Sequence, residues 1–119
     1  TVSRLAEAGI DDLGSGLRLV EPLPYLRMLA LQMRARVVIT DSGGVQEETT
    51  YLDIPCLTLR PNTERPVTVT EGTNRLVQPG DLVAEAGKAL RGEWPHGRRP
   101  DRWDGRTAAR CVASLKKHL

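Results

Sequence analysis

The segment Thr40–Tyr51, TDSGGVQEETTY, follows directly on the β-branched run Val37-Val38-Ile39. Strand formers that stop at an acid, a serine and two glycines, then resume as helix formers, mark the strand-to-helix junction of a β–α unit. Glycine costs roughly 0.5–1 kcal/mol against alanine inside a helix. Two in succession at such a junction imply that something must come close to the backbone there.

The same junction recurs along the chain. Four short β-rich runs, Leu17–Val20, Arg36–Thr40, Cys56–Leu59 and Asn74–Val77, have centres about 19 residues apart, the length of one strand, one short helix and tight connections. Helices are predicted over the opening residues from Thr1 to Ala8, over Tyr25–Met33, over Val45–Leu52, over Val67–Glu71 with Pro66 in its first turn, and over Asp81–Arg91. Gly92–Asp104, with two prolines and two glycines, reads as a loop. Asp104 reads as the N-cap of a last helix, Gly105 to about Lys117, with Ala109, Val112 and Leu115 on its apolar face. Alternation of this kind with nearly continuous apolar strands predicts an α/β chain: a Rossmann-like parallel sheet flanked by helices on both faces.

The 119 residues suffice for one domain with a modest core. Apolar residues make up 39% and charged residues 27%, a globular composition. No apolar run is long enough to span a bilayer and no secretory leader pattern opens the chain, so a cytoplasmic location is expected. The net charge of +2 and an aromatic content of 3% weigh against a nucleic-acid partner. Cys56 and Cys111 lack metal-ligand spacing and read as buried, reduced thiols; His96 and His118 form no metal pattern with them. No metal and no cofactor is expected. The chain opens without methionine, which fits a piece of a longer polypeptide.

Ligands of doubly wound sheets bind at the carboxyl ends of the strands. Three unusual clusters fall there: Glu21-Pro22-Leu23, Asp41-Ser42-Gly43-Gly44 and the loop from Arg60 to Arg65. At the first turn of a helix, unpaired N–H groups and the helix dipole favour an anion, and Ser42, Gly43 and Gly44 leave those groups open to a phosphate. The alternative is a tight turn that needs a left-handed glycine. The spacing fits neither the dinucleotide fingerprint nor a phosphate loop with its lysine. Glu47 and Glu48 point about 100° apart on a helix, so one is expected outside and one toward the ligand, where a carboxylate suits a ribose diol. Arginines 60 and 65 suit bidentate recognition of phosphate, or an ion pair within a surface loop.

Taken together, TDSGGVQEE, IPCLTLRPNTERP, EGTNRLV, the upstream LVEPLPYL and the later WDGRTAAR resemble the bacterial non-hydrolysing UDP-N-acetylglucosamine 2-epimerases. The resemblance implies that residues 1–119 are part of the C-terminal, UDP-binding Rossmann-like domain of a glycosyltransferase-B type fold, with the N-terminal catalytic domain absent. It implies an isomerase that interconverts UDP-N-acetylglucosamine and UDP-N-acetylmannosamine by eliminating and re-adding UDP. It assigns the diphosphate to Ser42, Gly43 and Gly44, the ribose to Glu48, a ligand contact near the interdomain cleft to Arg65, and the uracil to the neighbourhood of Leu23 and Met28. It provides no catalytic acid or base within these residues, so the fragment alone is expected to be inactive.

The implied partners are the UDP-sugar and the missing domain; a homodimer is a further expectation, and neither nucleic acid nor membrane is. Departures from the family pattern occur at Met28, where an aromatic is usual, at Asp53, where a glycine is expected, and at Val67, where an acid is usual. A glycosyltransferase of the same arrangement, or a nucleotide-binding module without chemistry of its own, would share the diphosphate turn and the ribose carboxylate.

Overall fold

The computed structural model describes residues 2–10 and 14–118. Three parallel strands, β1 (Val38–Thr40), β2 (Cys56–Thr58) and β3 (Asn74–Leu76), form one sheet in the order β1-β2-β3. Ile39 stands opposite Leu57, and Leu57 opposite Arg75. Helices α1 (Val2–Glu7) and α2 (Tyr25–Gln32) precede the sheet. Helix α3 (Gly43–Leu52) links β1 to β2, and α4 (Pro66–Thr70) links β2 to β3. After β3 come a 3₁₀ turn over Pro79–Asp81, helix α5 (Leu82–Leu90), and α6 (Thr107–His118). The expected α/β class, a parallel sheet between helices, is what forms.

Side chains alternate across a strand, and here the two faces differ in chemistry. Leu57 points toward α5 and joins Val77, Ala89 and Trp94 in an apolar core, with Val37, Leu59, Leu82 and Ala86 at its margin. Trp94 belongs to the segment read as a plain loop; its indole N–H donates to Thr73 O (2.8 Å) and Arg75 stacks on its ring at 4.1 Å. The opposite face carries Thr58 and Asn74 beneath Gln46 and Thr49 of α3 and Thr68 of α4, all buried. That layer is polar, and it lies directly behind the candidate site.

Leu17–Val20 forms no strand: Leu17, Leu19 and Val20 are all exposed. The Glu21-Pro22-Leu23 cluster therefore follows an irregular segment. Ile39 of edge strand β1 is 47% exposed, so among the described residues no helix covers it fully. A fourth strand there would bury little apolar surface to offset its ordering entropy. The apolar face of α6 is also open, with Val112 and Leu115 exposed, and Cys111 on that helix is exposed rather than buried. Cys56 is buried as expected, and burial raises its thiol pKa.

At its C-terminus α3 ends on Asp53 in the left-handed conformation (φ 57°, ψ 42°). The Ile54 N–H returns to Thr49 O at 2.9 Å, closing the helix as a glycine cap would. Asp53 offsets its backbone cost by accepting a hydrogen bond from the Gly97 N–H (3.2 Å), which ties down the loop that carries Trp94.

Candidate functional site

Ser42 is the N-cap residue of α3, with extended backbone (φ −87°, ψ 129°), and its side chain caps no helix N–H. Its own N–H donates to Thr40 Oγ1 (3.0 Å), which sets the exit from β1. Gly43 and Gly44 are the first two residues of the helix, and neither has a positive φ. The left-handed-turn explanation of this pair therefore fails. At Gly44 an added Cβ would meet nothing within 4 Å. Neither conformation nor internal packing calls for glycine there, so what glycine provides is open access to the first-turn N–H groups.

The loop after β2 closes over this turn. A Cβ at Gly43 would come within 2.8 Å of Glu64 Oε1 and 3.9 Å of Arg65 Cγ. Glu64 also pairs with Arg60 (3.2 Å). Its carboxyl pKa is held below the usual range, first by a backbone hydrogen bond and then by Arg60. Arg65 Nε approaches Glu47 Oε1 at 3.0 Å as an ion pair, yet has no aligned hydrogen-bond acceptor. The Arg65 guanidinium is thus held by Glu47 and by a hydrogen bond from Nη1 to the Glu64 carbonyl oxygen (3.4 Å), beside the glycine turn.

One turn further along α3, Glu48 Oε2 accepts a hydrogen bond from the buried Gln32 Nε2 (2.6 Å) of α2. Between α2 and α3 lies a cavity of about 450 Å³ lined by Tyr25, Leu29, Glu47, Glu48, Tyr51, Leu52 and Trp103. Three of the four aromatic residues of the chain are in that lining. Arg99 stacks on the Tyr51 ring at 3.9 Å.

Both glutamates of the QEE run thus face one cavity, contrary to the expectation that one would point away. The cavity is wide enough to span their 100° separation, and Glu47 also pairs with Arg65. The fold brings Ser42, Gly43, Gly44 and Arg65 together and sets Glu48 beside them. Leu23 is not with them: its side chain lines a separate groove with Arg27, Ala30, Leu31 and Arg34. Met28, half-exposed on α2, lies outside both linings.

Glu47, Glu64, Tyr25 and Tyr51 border the candidate site without belonging to the residues that the sequence assigns to it. The adjacency of NTERP to a strand end was the available signal for Glu64. His96 stands 3.6 Å from Asp53 at the far end of α3, and His118 Nδ1 lies against Ser114 O, so neither joins the site. Among the described residues no group of three or more His, Cys, Asp or Glu is placed to hold a metal ion, and no helix is long and apolar enough to cross a membrane.

The sequence profile of the UDP-N-acetylglucosamine 2-epimerase family matches residues 1–116. The UDP-N-acetylglucosamine 2-epimerase of Methanocaldococcus jannaschii is 50% identical over 93 residues, covering 76% of this chain and 25% of that protein. The enzyme of the same name from Salmonella typhimurium is 37% identical over 112 residues, covering 84% of this chain and 28% of that protein. Among solved structures, that of the M. jannaschii enzyme in complex with UDP-GlcNAc and UDP superposes with a TM-score of 0.76 at 36% identity, covering 98% of this chain and 33% of the other. The chain therefore spans about a quarter of the length of these curated relatives and a third of the solved chain.

Proposed function

Because the chain belongs to the UDP-N-acetylglucosamine 2-epimerase family, we propose that it supplies the UDP-binding half of an isomerase that interconverts UDP-N-acetylglucosamine and UDP-N-acetylmannosamine. The observation that carries this reading is the uncapped, side-chain-free first turn of α3 beneath Arg65, with Glu48 and an aromatic-lined cavity one turn away. That spacing suits a diphosphate followed by a ribose and a flat base. In this reading residues 1–119 are part of a C-terminal Rossmann-like domain, and an N-terminal domain supplies the rest of the active site.

The Ser42 hydroxyl and the N–H groups of Gly43 and Gly44 take the diphosphate oxygens, with Arg65 as the counter-cation. Glu48 accepts from the ribose hydroxyls through the carboxylate oxygen that Gln32 leaves free. The uracil enters the cavity walled by Tyr25 and Tyr51, so Leu23 and Met28, which lie outside that lining, are not assigned to it. In the reaction a base removes the C2 proton, and the C1–O bond breaks with its electrons passing to the diphosphate. UDP and a 2-acetamidoglucal result. Reprotonation of C2 on the other face and re-addition of the diphosphate oxygen to C1 complete the inversion. The residues described here stabilise the departing diphosphate through backbone dipoles and Arg65; the acid and base groups are assigned to the N-terminal domain.

The test is a calorimetric titration of UDP into the chain and into Glu48→Ala, each checked by thermal melting. Saturable binding that weakens about 10-fold or more in the folded variant, the size of a lost charge-assisted hydrogen bond, is expected. UDP affinity unchanged by Glu48→Ala would remove the ribose from that carboxylate.

A further inference from the structure

The Arg65 peptide is held by local hydrogen bonds that continue into a buried polar network. The Arg65 N–H donates to Thr63 Oγ1 (3.0 Å), and the Arg65 carbonyl accepts from both the Thr68 hydroxyl (2.8 Å) and the Thr68 N–H (3.0 Å). Both ends of the Arg65 peptide unit are therefore pinned, at an unusual backbone conformation (φ −120°, ψ 58°).

The two pins meet one layer down. The Thr63 hydroxyl donates to Gln46 Oε1 (2.6 Å), and Gln46 is completely buried on α3, one turn beyond Ser42-Gly43-Gly44. Asn74, at the start of β3, donates through Nδ2 to the same Gln46 oxygen (3.1 Å) and to Thr68 Oγ1 (3.0 Å). Asn74 Oδ1 in turn accepts from the Thr58 hydroxyl of β2 (2.6 Å). One connected set of side chains thus joins both strands, α4, the Arg65 loop and the helix that carries the turn. The remaining amide nitrogen, Gln46 Nε2, is buried without a hydrogen-bond partner among the described residues. An apolar layer would avoid that penalty, so stability by itself does not account for these polar residues.

We infer that Gln46, Thr63 and Asn74 are positioning residues that fix Arg65 relative to the first turn of α3, so that the guanidinium and the helix N–H groups meet one diphosphate. The inference rests on the UDP-binding reading above for its ligand, while the pinning itself is a property of the chain.

Two measurements on the chain separate these. Amide hydrogen exchange is compared in wild type, Thr63→Val and Thr63→Ser. The valine variant is isosteric but lacks the hydroxyl, so the Arg65 amide should exchange about tenfold faster, with Leu57 and Val77 unchanged, and serine should restore protection. Unchanged Arg65 protection in Thr63→Val overturns the inference whether or not UDP binds. UDP titration then follows the same variants with and without Arg65→Ala. Thr63→Val should weaken UDP binding several-fold alone and add nothing in the Arg65→Ala background. Equal weakening in both backgrounds overturns the inference. If Arg65→Ala leaves UDP affinity intact, the ligand role of Arg65 fails instead, and the exchange result stands apart from it.

Discussion

The carboxylate of Glu64 lies over Gly43, its Oε1 within 2.8 Å of where an alanine methyl at that position would sit. An internal carboxylate therefore stands beside the first residue of α3, where the dipole is positive, while Gly44 stays open. Gly43→Ala is expected to fold normally, because the obstructing atom ends a flexible side chain and alanine favours the helix by about 1 kcal/mol. The same methyl narrows the approach for phosphate, so UDP affinity should fall about tenfold or more, an effect above the roughly 1.4 kcal/mol that separates decades. Calorimetry and a thermal melt on one preparation check both halves.

Glu64→Gln should act in the opposite direction. Neutralising the carboxylate removes a competing anion from the helix end and releases Arg60 from its pair. UDP is expected to bind a few-fold more tightly, most clearly at low ionic strength, where the Debye length exceeds about 10 Å. A titration at two salt concentrations reads it; equal or weaker binding at low salt would mean that Glu64 supports the ligand rather than competing with it.

Gly72 is a packing requirement. A Cβ there would collide with the Thr50 side chain and lie 2.6 Å from the Thr68 carbonyl oxygen, which is backbone and cannot swing aside. Gly72→Ala should therefore destabilise the chain by about 1–3 kcal/mol, the usual range for overpacking, visible as a lowered Tm. An unchanged Tm would show that α3 and α4 can part without cost.

Asp53 combines a left-handed backbone with an acceptor for the Gly97 N–H. Asn keeps both properties and alanine keeps neither. Asp53→Asn is expected to be nearly neutral, while Asp53→Ala should cost about 1–2 kcal/mol, from backbone strain and the lost bond together. Proteolysis within the Gly92–Pro100 segment should quicken only in the alanine variant.

Glu85 sits between Lys88 and Arg75, the latter 3.0 Å away, and its pKa is lowered chiefly by the hydrogen bond from Lys88 and further by Arg75. The unfolded chain takes up the proton at the ordinary value of 4.5, before the folded chain does. The contribution is thus complete above that pH and is lost as the pH falls through the lower folded value. The acid limb of Tm against pH should be shallower in Glu85→Gln than in wild type; an identical limb would assign acid sensitivity to the other paired carboxylates.

What was legible in the sequence was local. The start of α4 at Pro66 follows from chemistry within a few residues and the structure places it there, while α3 begins at Gly43, two residues before the expected Val45. Leu17–Val20 has the composition of a strand, but a strand there needs a covering layer as well as the free edge of β1, and Ile39 of β1 is left exposed. Trp94 shows the converse: a residue in a proline- and glycine-rich loop becomes core because β3 and α5 leave a place for its ring.

The site divides in the same way. The residue types that suit an anion and a diol could be read from the order SGG, QEE, NTERP. Which glutamate meets Arg65 could not, nor could the burial of Gln46 and Asn74 behind it. Those facts depend on side chains 17 to 28 positions apart in sequence meeting across one sheet face. Local sequence encodes torsional preference, hydrogen-bond capacity and the places where a ligand can approach. Register, layer packing and the charge partners of each side chain are set by contacts that exist only once the chain has closed on itself.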